Sequence, residues 1–195
     1  MTEEQNTPTP APKSGVRTST QIIIWVAVMG LLVLVGLGLL KAQNPIIHIG
    51  SEVPDFSLEM FEGYSYQGAS EINLADLQGK VVVINFWASW CKPCEQEAAE
   101  LEEAWRYYED DGEVIFLGIA WTDTPTNAAD YLKRFDITYP NGPDLGSRIS
   151  SHFNRNLGVP ETYFIDKEGV LRHIKIGPFT SVSEIQASVN SLLAE

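Results

Sequence analysis

Cys91 and Cys94 are the only cysteines in a chain of 195 residues, and only Lys92 and Pro93 separate them. They stand in Trp90-Cys91-Lys92-Pro93-Cys94, directly after the apolar run Val81-Val82-Val83-Ile84-Asn85-Phe86-Trp87. A buried strand that delivers a Cys-x-x-Cys pair to the start of a helix suits dithiol–disulfide redox chemistry. The unpaired amides and the dipole of a helix N-terminus favour a thiolate. Cys91, at the helix entrance, is the expected nucleophile, and Lys92 adds positive charge beside it. Cys94, one turn further on the same face, is the expected resolving thiol and the more buried of the two. Pro93 fits the first turn, where its missing N–H is not needed.

Three other uses of the pair fare worse. Zinc normally takes four ligands, and His48, His152 and His173 offer neither a second Cys-x-x-Cys nor the paired-histidine spacing of zinc modules. Covalent haem attachment needs a histidine directly after the second cysteine, where this chain has Glu95. A purely structural disulfide across so short a loop stabilises little, because the chain entropy that a cross-link removes falls with loop length. No cofactor or metal is expected beyond the dithiol itself.

Periodicity places the elements that must hold the pair. Strands are expected over residues 81–87 and 114–121, with a helix over 93–109 between them. A helix near 126–135 and a short one near 146–155 follow, then strands over 162–165 and 170–176 and a last helix over 182–193. This alternation predicts an α/β layered fold with a parallel centre. Asp166-Lys167-Glu168-Gly169 reads as the turn of an antiparallel hairpin. Trp87 is expected in the core and Trp90 partly exposed beside the cysteines, where it adds contact area for a partner. Trp121 belongs either to the core or to the same edge.

The uncharged apolar run over residues 22–40 is long enough to cross the roughly 30 Å hydrocarbon core of a bilayer as a helix. A cleaved secretory signal is the competing reading, but its apolar core is shorter and ends in an Ala-x-Ala-like site. Here Lys41-Ala42-Gln43 follows. Lys13 and Arg17 before the span favour a cytoplasmic N-terminus, and a redox-active pair as the sole cysteines suits an oxidising compartment outside the cytoplasm. Trp25 suits an interfacial anchor. The expected organisation is a disordered, proline-rich tail over 1–20, a membrane anchor over 21–41, a tether over 42–50 and one domain over 51–195.

The formal net charge is -13. It comes from that last domain, because Glu3 and Glu4 cancel Lys13 and Arg17 and Lys41 alone adds one positive charge ahead of it. Nucleic-acid binding is thereby disfavoured. The glutamates over 95–103 and the patch Glu109-Asp110-Asp111 read as solvated helix surface, the sharper alternative being a negative face that steers a basic partner.

Two stretches, Asn85-Phe86-Trp87-Ala88-Ser89-Trp90-Cys91-Lys92-Pro93-Cys94 and Gly158-Val159-Pro160-Glu161-Thr162-Tyr163-Phe164-Ile165-Asp166, resemble the two signatures of the thioredoxin superfamily. More narrowly they resemble its membrane-tethered TlpA/ResA/CcmG (DsbE) branch. Gly50-Ser51-Glu52-Val53-Pro54-Asp55-Phe56-Ser57-Leu58 resembles the N-terminal extension that this branch shares with the peroxiredoxins. The resemblance implies a thioredoxin-like fold, a central mixed sheet flanked by helices, with an N-terminal extension and a central insertion. It implies a cis bond between Val159 and Pro160, presenting backbone groups to an extended substrate. Trp90, Lys92, Pro93, Val159 and Pro160 are then the substrate-facing residues. Asn85 replaces the buried aspartate of ordinary thioredoxins, so another acid must tune Cys94. Glu97 matches a glutamate of ResA-like proteins, and Glu161 matches the Pro-Glu pair of CcmG-like members. A carboxylate near a buried thiol opposes the thiolate and can relay its proton.

The function so implied is thiol–disulfide exchange, as a reductase that keeps the Cys-x-x-Cys-His thiols of apocytochrome c reduced and is recharged by a CcdA/DsbD-type membrane thiol reductase. A general disulfide reductase or oxidase is the alternative within the same chemistry. Peroxiredoxin activity is disfavoured, since Ala88 occupies the place of the threonine that precedes a peroxide-reactive cysteine. A module that binds an apoprotein or haem without turnover is the alternative of a different class.

Overall fold

The computed structural model describes residues 18–42, 47–153, 155 and 158–194. Most of the expected tail, part of the tether, residue 154 of the short helix expected near 146–155, and residues 156, 157 and 195 lie outside them. The chain forms two units, residues 1–44 and 45–195.

In the first unit, α1 (Thr18–Ala42) is one continuous apolar helix. Its stretch Ser19–Leu37 has a mean hydropathy of 2.4 and is long and apolar enough to cross a membrane.

The second unit is built on a five-stranded mixed sheet. Its strands are β3 (Val81–Trp87), β4 (Val114–Ala120), β5 (Asn141–Pro143), β6 (Glu161–Ile165) and β7 (Leu171–Ile176), in the order β5-β4-β3-β6-β7. β3 pairs in parallel with β4 and antiparallel with β6. Every residue of β3 and β4 is buried, which is why both strands read as unbroken apolar runs instead of alternating ones. Between β6 and β7, Asp166 makes the turn: its Oδ1 accepts from the amides of Glu168 at 3.0 Å and Val170 at 2.8 Å, and Gly169 takes φ +82°.

The helices are α2 (Lys92–Tyr108), α3 (Pro125–Arg134) and α4 (Val182–Leu193). Cys94, Ala98, Leu101, Trp105 and Tyr108 form the buried stripe of α2, and Ile185, Val189 and Leu192 that of α4. Along these stripes α2 and α4 pack on each other and on the sheet. Thr124 caps α3, its Oγ1 accepting from the amide of Asn127 at 3.3 Å.

A small sheet of β1 (Ser57–Glu59) and β2 (Glu71–Asn73) forms the N-terminal extension. It is held to the domain at β5, where the Phe61 amide donates to the Asn141 carbonyl at 2.9 Å. Gly142 is required there, since a Cβ would run into the carbonyl of Glu59. Instead of the short helix expected near 146–155, two 3-10 turns, Leu145–Ser147 and Ser150–His152, occupy the described part of that stretch. Gly146 at φ +68° breaks the helical path between Asp144 and Arg148.

The acidic run over 95–103 is not simply a solvated face. Glu97 and Glu102 are 1% and 6% exposed. Glu102 accepts from the amide and hydroxyl of Thr138, at 2.8 and 2.6 Å, and pairs with Arg106 at 2.7 Å. Paired acids can be buried where unpaired ones cannot.

Candidate active site

Cys91 sits at the N-cap of α2 and is joined to Cys94 by a disulfide with Cα atoms 5.3 Å apart. Both residues are buried, Cys94 slightly more so. The amide of Cys94 points at the Cys91 sulfur from 3.1 Å, the contact that would stabilise a thiolate there once the bond is reduced. On its other side Cys91 Sγ lies 3.4 Å from the carbonyl oxygen of Val159. The Val159–Pro160 bond is cis, and the Val159 contact places the second motif against the first.

Trp90 is 57% exposed, while its indole N–H donates to the Thr122 carbonyl at 3.1 Å. Trp121 is half-buried, with its ring 6.2 Å from that of Trp90, so it belongs to this edge. Trp87 is buried; its N–H donates to Asn141 Oδ1 at 2.8 Å and its ring stacks on Tyr131 at 4.4 Å. The Tyr131 hydroxyl in turn donates to the Cys94 carbonyl at 2.9 Å. Burial first, then Glu97 and Glu95, push the Tyr131 pKa up, so it stays a proton donor. Ser89 is fixed by Asp123, which receives its amide at 2.5 Å and its hydroxyl at 2.9 Å.

Lys92 is solvent-exposed and paired with Glu95 at 2.9 Å. Its charge is therefore partly cancelled by a neighbour, which weakens its expected contribution to a thiolate at Cys91. Glu95 also receives Arg134 at 2.5 Å, and the bonds from Lys92 and then Arg134 hold its carboxyl below the ordinary range. Pro93 lies in the first turn of α2.

The two glutamates differ. Glu97 is one turn beyond Cys94, with Oε1 accepting from Asn85 Nδ2 at 2.9 Å and Oε2 from the Phe179 amide at 3.0 Å. Burial pushes its pKa up to about 7, even though both hydrogen bonds oppose the shift. Asn85 also donates to Thr162 Oγ1 at 2.9 Å, linking this acid to β6. Glu161, expected as a second acid that could relay the proton of Cys94, is ion-paired with Arg155 at 2.9 Å and accepts from the Tyr163 hydroxyl at 3.1 Å. Its Oε2 is committed to those two donors, which is the geometry of an anchor.

Sequence reasoning did not single out Asp123, Tyr131 or Arg155. Their partners lie far away in the chain or in an irregular loop, and no local pattern marks them. Among the described residues no three His, Cys, Asp or Glu side chains are grouped so as to hold a metal ion.

The geometry agrees with what the chain resembles. The AhpC/TSA family matches residues 49–174. The thiol-disulfide oxidoreductase ResA of Oceanobacillus iheyensis is 30% identical over 142 residues, covering 72% of this chain and 71% of that protein. The thioredoxin-like protein YneN of Bacillus subtilis is 32% identical over 135 residues, covering 69% of this chain and 75% of that protein. Among solved structures, a thiol:disulfide interchange protein of the thioredoxin family from Chlorobium tepidum superposes with a TM-score of 0.65 at 26% identity. That match covers 75% of this chain and 99% of the other. With its Cys91–Cys94 pair on a thioredoxin-like fold, the chain belongs to the AhpC/TSA family of the thioredoxin superfamily, as a thiol:disulfide oxidoreductase of the ResA type.

Proposed function

We propose that this protein is a membrane-tethered, extracytoplasmic disulfide reductase whose clients are apocytochromes c. Cys91 as thiolate attacks a client disulfide; that bond breaks, one client sulfur leaves as thiolate, and a mixed disulfide forms. Cys94 then gives its proton to the Glu97 carboxylate and attacks Cys91 Sγ. The second client sulfur leaves and is protonated, two electrons have passed to the client, and Cys91–Cys94 is again a disulfide. A CcdA/DsbD-type membrane thiol reductase would return the two electrons. Trp90, Pro93, Val159 and Pro160 form the surface against which the client lies, with Lys92 at its rim. Glu161 acts by holding its neighbours.

The observation that carries this reading is Glu97, a buried acid with a pKa of about 7 one turn from the resolving cysteine. Such a group can take up and return a proton near neutrality. The organisation that goes with it is a tail over 1–20, an anchor over 21–41 with the N-terminus cytoplasmic, a tether over 42–50 and the redox domain over 51–195. The apolar length of α1 supports the anchor.

The test is reduction of a disulfide-closed Cys-x-x-Cys-His peptide by the reduced full-length protein in detergent. The parent should transfer two electrons per chain and Cys91→Ser none. Equal rates on peptides with and without the histidine would favour a general reductase, and binding that survives Cys91→Ser without any turnover by the parent would favour a binding module. Consumption of hydrogen peroxide faster than of the peptide would favour a peroxidase.

A further inference from the structure

Arg155 lies in the loop before β6, outside both motifs, and its side chain is only 5% exposed. Nε donates to Glu161 Oε2 at 2.9 Å, and Nη2 donates to the Gly158 carbonyl at 2.6 Å. The guanidinium carbon stands 4.4 Å from the ring centre of Phe86 and 4.6 Å from that of Trp121. Nη1 is buried with no hydrogen-bond partner among the described residues.

A buried cation with an unused donor is a poor way to fill space, because an apolar residue there would avoid the desolvation. What arginine adds is direction: a planar fork that bonds two acceptors while its faces rest on aromatic rings. Here the bonded acceptors flank Val159–Pro160, whose Val159 carbonyl touches Cys91 Sγ. The stacked ring of Trp121 neighbours Trp90, the exposed aromatic directly before Cys91. One side chain therefore links the backbone edge beside the reacting sulfur to the aromatic edge beside it.

We propose that Arg155 is a positioning residue for client binding, fixing the Gly158–Pro160 backbone relative to the Trp121–Trp90 rings. The ligand it serves is an extended polypeptide segment carrying a disulfide, which must meet both edges at once; a small disulfide need meet only the sulfur. This inference rests on the reading of Cys91 and Cys94 as a reducing dithiol.

The experiment is single-turnover oxidation of the reduced full-length protein in detergent by two probes, a synthetic peptide closed by a Cys-x-x-Cys disulfide and glutathione disulfide. Arg155→Gln should raise the half-saturating peptide concentration about tenfold while changing the limiting rate, and the rate with glutathione disulfide, less than about twofold. Trp121→Leu should move the same parameter in the same direction. Arg155→Lys, which keeps the charge but loses the fork, should recover only part of the effect. If Arg155→Gln does not fold, the double variant with Glu161→Gln also removes the buried carboxylate left without its cation and carries the same expectation. Equal losses toward both probes, a lower limiting rate at unchanged half-saturation, no change at all, or full recovery by lysine would each overturn the proposal. A parent that reduces neither probe would overturn the reductase reading, and this inference with it.

Discussion

Glu97→Gln is the most informative single change, because its effect is fixed by a pH-dependent quantity and by a count of hydrogen bonds. Burial raises the Glu97 pKa from 4.5 to about 7. A carboxyl whose folded pKa lies above its unfolded value contributes stability that is fully present below pH 4.5 and is lost as pH rises through about 7. Integrated between pH 5 and pH 8, the loss for the parent is about 2–3 kcal/mol. Glutamine does not titrate, so the variant lacks this loss. Both oxygens of glutamate can accept, as carboxylate or as the carbonyl and hydroxyl of the protonated acid, whereas glutamine has one, so of the two donors, Asn85 Nδ2 and the Phe179 amide, one meets an NH2 group. That defect costs about 1–3 kcal/mol at every pH. The variant should therefore be the less stable protein at pH 5, and the gap should close or reverse by pH 8. Urea unfolding of the oxidised full chain in detergent, followed by tryptophan fluorescence across this range, measures it without interference from thiols. Stability curves that run parallel for parent and variant would refute the assignment of a near-neutral titration to Glu97.

Cys91→Ser should abolish exchange, whereas Cys94→Ser should accumulate a mixed disulfide with the peptide, visible on a non-reducing gel. Limiting alkylation of the reduced parent should label Cys91 first, and preferential labelling of Cys94 would reverse their roles. Equilibration against glutathione should give a reduction potential well below the roughly -120 mV of a strong periplasmic oxidant; a value near that figure would refute the reductase direction. Gly118→Ala would drive a Cβ into the side chain of Asn141, which receives the Trp87 indole N–H at 2.8 Å. It should destabilise the protein by about 2 kcal/mol or more, read as a shift in the urea midpoint.

The motif helix, the two central strands and α4 are legible in the sequence because each is long and has one dominant buried pattern. β1, β2 and β5 are three residues each, too short for an alternation to register, and exist because other segments pair with them. The cysteines announce themselves by type and spacing. Glu97 is visible at helical spacing from Cys94, but its burial is not, since the groups that make it tolerable, Asn85 and Phe179, lie 12 and 82 residues away. Glu102 is hidden in the same acidic run for the same reason, its chief donor being Thr138. Arg155 is illegible for a further reason: a loop arginine is ordinarily solvated, and only the assembled rings of Phe86 and Trp121 make this one a buried fork.

The placement of β3 between β4 and β6 bears on how the chain comes to be folded. Asn85 and Thr162, neighbours across that pairing, are 77 residues apart in sequence. Strands joined through so long an intervening segment meet late, because the entropy of closing the loop must be met before the contact returns anything. During synthesis Cys91 and Cys94 are consequently delivered well before Val159 and Pro160 can cover them. Their only protection in that interval is number: with two cysteines in the chain, no incorrect intramolecular bond exists to be formed. The hazard that remains is capture by another molecule, so maturation should be sensitive to the concentration of foreign thiols and disulfides and insensitive to isomerase.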